Sequence, residues 1–194
     1  MKIKRVEHIA SSGRQLQGLM HDVMDLGRFE GAELRIDLCA LDASACVRIA
    51  ADAVAALADQ AGVSLVANHG SSSICCAADA DRLHQCLLNL LSNAIKYSRP
   101  GGSVQIEVRQ ALHEVAIAVR DDGLGMSAAQ RQQLFEPFNR LGRQHSAAPG
   151  SGLGLVITRH LVRAMNGQLR IDSEPGVGSC FTIVLPAALD TAVT

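Results

Sequence analysis

Four side chains able to bind an anion or a metal ion fall on one stripe of the segment Asn89-Leu90-Leu91-Ser92-Asn93-Ala94-Ile95-Lys96-Tyr97. Asn89, Asn93, Lys96 and Tyr97 stand at i, i+4, i+7 and i+8, so in a helix they share a face, while Leu87, Leu91 and Ala94 lie on another. Two amides, an ammonium and a phenol are an odd load for a helix that must otherwise be buried. A carboxamide oxygen can ligate Mg²⁺, which keeps waters and substrate phosphates as its other ligands. Lys96 would then face phosphate. Taken alone, Asn89 and Asn93 read equally well as buried amides bonded to backbone.

Two glycine clusters add to this stripe. Asp121-Asp122-Gly123-Leu124-Gly125 follows a strand-like run, and Gly150-Ser151-Gly152-Leu153-Gly154-Leu155 opens a helix-like one. Glycines there let backbone approach a phosphate, and the N–H groups of a helix start supply donors and a favourable dipole. Neither cluster is a P-loop, because no Lys-Ser or Lys-Thr follows, and neither has the G-x-G-x-x-G spacing of a dinucleotide fold. Each alone is no more than a turn. Their joint occurrence with the polar stripe points to a nucleotide, with Tyr97 beside its base or ribose.

The elements that must hold these residues alternate in type. A seam of Val6, Ile9, Gly13, Leu16, Met20, Val23 and Gly27, spaced three, four, three, four, predicts an N-terminal helix that packs on another helix. After Arg28-Phe29-Glu30-Gly31 the pattern predicts strands near Leu34 to Leu41, Val63 to Asn68 and Ser73 to Ala77, with helices over Ala43 to Gln60 and Asp79 to Tyr97. The turn Arg99-Pro100-Gly101-Gly102 precedes a hairpin of Val104 to Val108 and Val115 to Val119. A short helix at Ser127 to Phe135, a Gly, Ser, Ala and Pro-rich loop from Asn139 to Gly150, a helix over Leu153 to Asn166 and strands at Gln168 to Ser173 and Gly178 to Leu185 complete the pattern.

At 194 residues the chain has room for one domain with an appended helix. Apolar residues make up 48% and aromatic ones 3%, so the core must be built from Leu, Val, Ile and Ala. A net charge of −1 leaves no basic footprint for a nucleic acid. The six cysteines form no C-x-x-C pair and no metal spacing, which reads as reduced, mostly buried thiols of a cytoplasmic protein. The chain carries neither a signal-peptide h-region nor an apolar run of roughly 18 to 20 residues, so no membrane contact is expected of it, although a longer parent could be anchored.

The run from Asp79 to Pro186 resembles the catalytic domain of sensor histidine kinases, in the superfamily that also holds type II topoisomerase, heat-shock chaperone and mismatch-repair ATPases. NLLSNAIKY resembles the family's N box, DDGLGM its G1 box, LFEPFNR its F box and GSGLGL its G2 box, in the family's order. The resemblance implies an α+β fold: a two-layer sandwich of a mixed sheet covered by helices, preceded by a coiled-coil-like helix. It divides the chain into residues 1–31, the second helix of a dimerisation domain, 32–190, the ATP-binding domain, and a 191–194 tail. It implies ATP and Mg²⁺ as ligands, with Asn93 on the metal and Asn89 assisting, Lys96 on the phosphates and Asp121 accepting from the adenine amino group. Gly123, Gly125 and Met126 would shape the adenine pocket, with Tyr97 close by. Ser151, Gly152, Leu153, Gly154 and Leu155 would close over the phosphates. Asn139 to Pro149 would be a lid hinged by Phe135 and Phe138, with Arg140 meeting the γ-phosphate. Asn89, Lys96 and Arg140 are the expected catalytic contributors.

The sequence departs from the family pattern in two places. Asp122 stands where the family commonly has Asn, adding a negative charge whose direction the sequence leaves open, solvent being one place for it. None of the seven histidines has the acidic residue and Arg-x-Pro context of the family's phosphoacceptor; His8 and His21 fall on the N-terminal helix, and His84 and His160 read as ordinary helix residues. The expected partners are therefore a first dimerisation helix outside this chain, a second copy of the protein and a response-regulator receiver domain. The chain itself is expected to bind ATP without phosphorylating itself. Two other classes share these motifs: a nucleotide-sensing module without catalysis, and a serine kinase acting on an anti-sigma antagonist, which the F box and the seam helix disfavour.

Overall fold

The computed structural model describes residues 35–68, 73–139 and 151–188, together with Gly13, Met20, Met24 and Gly27, which are helical and exposed. The rest of the expected seam helix, with His8 and His21, lies outside the described residues, as do Arg140, most of the Asn139 to Gly150 loop and the tail. The chain runs β1 (Cys39–Asp42), α1 (Ala43–Ala61), β2 (Ser64–Asn68), β3 (Cys75–Ala78), α2 (Ala80–Tyr97), β4 (Ser103–Ala111) and β5 (Glu114–Asp121). It continues through α3 (Ala128–Gln132), α4 (Gly154–Ala164), β6 (Gln168–Glu174) and β7 (Gly178–Pro186).

Five strands form a mixed sheet in the order β2-β4-β5-β7-β6. β2 is parallel to β4 and the other neighbours are antiparallel. β1 and β3 pair separately, and Cys76 bridges to Ala187 just past β7. The inward rows, Val104, Ile106 and Val108 of β4, Val115, Ile117 and Val119 of β5, and Phe181, Ile183 and Leu185 of β7, meet the apolar faces of α1, α2 and α4 in one core. This is the α+β sandwich that the order of elements implied. No described helix is long and apolar enough to cross a membrane.

Helix α2 is specified at every level. The Asp79 carboxylate caps it by accepting from the Arg82 N–H at 3.1 Å, and Asp81 adds a favourable charge in the first turn. Leu83, Cys86, Leu87, Leu90, Leu91, Ala94 and Ile95 recur at helical spacing and are buried. In α1 the buried face is mostly alanine, with Val47 and Val54, so the helix packs tightly on α2 without large side chains.

Two elements are shorter than the sequence pattern predicts. The first strand covers only Cys39–Asp42, and its last residue, Asp42, pairs with Cys75 while its side chain caps α1, accepting from the Ser44 N–H at 2.9 Å. Helix α3 opens with a Ser127/Gln130 capping box but ends at Gln132. Pro137 disfavours helical geometry at Glu136 and cannot donate, so the chain continues through Phe135 in turns. At the β4–β5 hairpin tip, Leu112 is 92% exposed and adopts φ +30°, a region that strains a branched side chain.

These positions make opposite stability predictions. Leu87→Ala, in the core, is expected to cost about 2–5 kcal/mol. Leu112→Asn is expected to be neutral or to stabilise by up to about 1 kcal/mol, since Asn tolerates positive φ. Urea denaturation of the two variants checks both; a destabilised Leu112→Asn would show that the hairpin does not carry this strain.

Candidate functional site

The period-2 pattern of β5 places Val115, Ile117, Val119 and then Asp121 on the row facing the helices. A carboxylate therefore terminates an apolar row, with Asp121 only 6% exposed. One of its oxygens accepts from the Gly123 N–H at 2.9 Å, and the N–H of Ser179, its neighbour on β7, also bonds to it. The ion pairs among the described residues, Arg109–Glu107 and Arg170–Glu114, lie on exposed surface elsewhere. Burial pushes the Asp121 carboxyl above its usual range; the two N–H donors pull it back, and neighbouring Asp122 adds to the rise.

Three chain segments converge on this carboxylate. A Cβ at Gly123 would collide with the Tyr97 carbonyl at the end of α2. Gly125 sits at φ +60°, and a Cβ there would collide with the Glu174 carbonyl at the end of β6. The Leu124 N–H reaches the Tyr97 carbonyl at 3.3 Å, and the Gly176 N–H reaches the Leu124 carbonyl at 2.8 Å. Arg99 crosses outside them, Nε donating to the Asp122 carbonyl at 2.8 Å and Nη2 to the Gly176 carbonyl at 2.9 Å. The Asp122 side chain, whose direction the sequence left open, turns towards the start of β4. Its Oδ2 accepts from the Ser103 N–H at 3.0 Å and the Ser103 hydroxyl at 3.4 Å, because the start of β4 offers donors beside it. Met126 is buried in the core.

The stripe on α2 forms the other half of the site. Asn89, Asn93, Lys96 and Tyr97 are all half-buried. Asn89 is tied to α4, its Nδ2 donating to the Gly154 carbonyl at 3.4 Å and to Thr158 Oγ1 at 3.5 Å. The Asn93 carboxamide has no such tie among the described residues. Lys96 Nζ lies 4.9 Å from the Tyr97 ring centroid.

At the start of α4, Ser151 Oγ accepts from the Leu153 N–H at 3.1 Å. Leu153 is fully buried and Leu155 half-buried. Unlike α1, α2 and α3, α4 has no side-chain cap, which leaves first-turn N–H groups for an anion. Gly152, at φ +75°, leaves room for Phe138, whose carbonyl carbon would lie 2.9 Å from a Cβ there. Phe138 itself is exposed at φ +63°, and the Phe135 ring lies 4.0 Å beneath the Arg159 guanidinium.

This donor set fits an adenine nucleotide at both ends. A buried carboxylate with no ion-pair partner among the described residues suits a neutral donor such as an exocyclic amine, and the uncapped start of α4 suits phosphate. Residues 78–189 match the family model described as histidine kinase-, DNA gyrase B-, and HSP90-like ATPase. The chain belongs to that family. Among family members it is 33% identical over 181 residues to the sensor-like histidine kinase SenX3 of Mycolicibacterium smegmatis, across 93% of this chain and 47% of that protein. The crystal structure of full-length ShkA in complex with AMPPNP superimposes with a TM-score of 0.83 at 28% identity, over 96% of this chain and 39% of ShkA. The Acinetobacter baumannii histidine kinase AdeS shares the fold, with a TM-score of 0.78 at 24% identity, over 95% of this chain and 84% of that one. The chain spans about half the length of SenX3.

The fold thus gathers Asp121, Gly123, Gly125 and Tyr97 at one end of the site and Asn89 with Gly154 at the other. Sequence reasoning did not single out Ser179, Arg99 or Arg159. Each acts across a long separation in the chain, and no local pattern marks it.

The raised Asp121 carboxyl has a consequence for the stability of this family member. A carboxyl that holds its proton more firmly folded than unfolded favours the fold at low pH, and that contribution is lost as pH rises through the folded value. Asp121→Asn, which removes the ionised form, is expected to melt at a higher temperature than the parent at pH 7. The gain should shrink as pH falls towards the ordinary carboxyl range near about 4. Thermal melts from pH 4 to 8 check this; an Asn variant less stable at neutral pH would mean that the carboxylate's hydrogen bonds outweigh its burial.

Proposed function

We propose that this chain binds ATP with Mg²⁺ and transfers the γ-phosphoryl group to a histidine on a dimerisation helix outside the chain, for relay to a response-regulator receiver domain. The observation that carries the reading is the buried Asp121 carboxylate, with no ion-pair partner among the described residues, at the end of a site whose other end offers the uncapped first turn of α4. Asp121 accepts from the adenine amino group, and Gly123 and Gly125 let the backbone close on the base. Lys96 and the N–H groups near Gly152 and Gly154 hold the phosphates, with Tyr97 beside the base or ribose. Asn93 offers its oxygen to Mg²⁺; when bound, the metal neutralises phosphate charge and orients the triphosphate.

Phosphoryl transfer needs position and charge more than covalent help from the protein. A neutral imidazole nitrogen forms the N–P bond as the bond from the γ-phosphorus to the β,γ-bridging oxygen breaks. ADP leaves, and the imidazole proton passes to solvent. Asn89 supports transfer over hydrolysis: it is an amide, unable to draw a proton from water, and its nitrogen is engaged with α4. The dimerisation helices bring a second copy of the protein into the assembly.

The test mixes the chain with labelled Mg-ATP and a separately made helical hairpin bearing a histidine. Acid-labile, alkali-stable phosphate should appear on the hairpin and not in stoichiometric amount on the chain, and Asn93→Ala should lower transfer by about tenfold or more. Label on His8 or His21 would relocate the acceptor, and steady release of inorganic phosphate without histidine would make the chain a hydrolase.

A further inference from the structure

Arg99 reads in the sequence only as part of a turn, yet it is the residue whose side chain joins the two loops beside Asp121. It is exposed and follows Ser98, the C-cap of α2. Its Nε reaches the Asp122 carbonyl, 23 residues away, and its Nη2 the Gly176 carbonyl, 77 residues away. Pro100 restricts the Arg99 backbone to extended geometry, and the Gly102 N–H donates to the Arg99 carbonyl at 2.9 Å, so the side chain leaves from a fixed base.

The two carbonyls belong to segments that need such a tie. Asp122 to Ser127 has no regular secondary structure, and Glu174 to Gly178 is a turn. Backbone bonds between them and α2 comprise the 3.3 Å contact from Leu124 to Tyr97, which is long, and the 2.8 Å contact from Gly176 to Leu124. The places of Gly123 and Gly125 above Asp121 follow from where these segments sit. A planar guanidinium presents separate donors in a fixed fork, one to each carbonyl, whereas a lysine must direct both bonds from one nitrogen without that fork.

We propose that Arg99 is a positioning residue for the base-binding end of the site, a latch that fixes the Asp122–Gly125 loop and the β6–β7 turn against α2. The inference rests on the reading that this end takes the adenine of ATP. Arg99 touches no reacting atom. Its loss loosens the walls around the base and leaves Asp121 in place, so binding weakens by the same factor whatever the number of phosphates.

The experiment is calorimetric titration of the full chain, Arg99→Ala and Arg99→Lys with ATP and ADP in Mg²⁺, with amide hydrogen exchange on the free proteins. The expected result for Arg99→Ala is a Kd about three- to tenfold higher for both nucleotides. Arg99→Lys should recover that loss only in part, and exchange should quicken at Leu124 and Gly176 but not at Ile117 in β5. A parent chain that binds neither nucleotide would overturn the ATP reading and this inference with it. A parent that binds while Arg99→Ala matches it would overturn the inference alone. So would full recovery by Arg99→Lys, or a larger loss for ATP than for ADP, since either would mean that Arg99 acts by attracting phosphate charge.

Discussion

An ionisable carboxylate in an apolar interior, with no ion-pair partner among the described residues, is costly to keep, and much of the arrangement at one end of this domain follows from keeping one. Asp121 occupies a position that strand alternation would otherwise fill with another valine or isoleucine. Two backbone N–H groups, from Gly123 and Ser179, partly offset its burial. The first requires the chain to turn back immediately after β5, which brings the loop against Tyr97 so closely that residue 123 must lack a side chain. The second requires β7 to lie beside β5 in the observed register, Asp121 against Ser179. A group that costs stability in the free protein and is held by two backbone donors is a candidate for function rather than for the fold.

The other end of the site depends on a different constraint, the approach of α2 to α4. Gly154 has no side chain, and the Asn89 carboxamide fills that space; a Cβ at Gly154 would lie 3.3 Å from Asn89 Oδ1. The amide nitrogen then holds the first turn of α4 in place. Asn93, one turn along α2, stays clear of these ties. The Asp121 end is thus assembled from loops around a strand terminus, and the Asn89 end from two helices packed on the same sheet. A single core positions both.

Much of this was legible in the sequence because it rests on short-range periodicity. The stripe Asn89, Asn93, Lys96 and Tyr97, the apolar face of α2, the hairpin of β4 and β5 and the two glycine clusters each follow from spacing within one element. What was not legible depends on contacts between elements. The direction of the Asp122 side chain was open until β4 was seen to present Ser103 to it. Arg99 and Ser179 acquire their roles from the β6–β7 turn and from strand register, and Arg159 from lying across Phe135. The early end of α3 is a local effect of Pro137 that the helical pattern of the preceding residues masks.

We propose that Asp121 reads the exocyclic amine of the base. Inosine triphosphate has a carbonyl oxygen where ATP has that amine and is otherwise closely similar, so comparing their affinities in Mg²⁺ isolates this one contact. A buried carboxylate gains a hydrogen bond from the amine and is repelled by the carbonyl. ATP should therefore bind the parent chain tighter by about ten- to a hundredfold, and the gap should narrow in Asp121→Asn, whose amide can donate to the carbonyl. Equal affinities of ATP and inosine triphosphate for the parent chain would contradict the account.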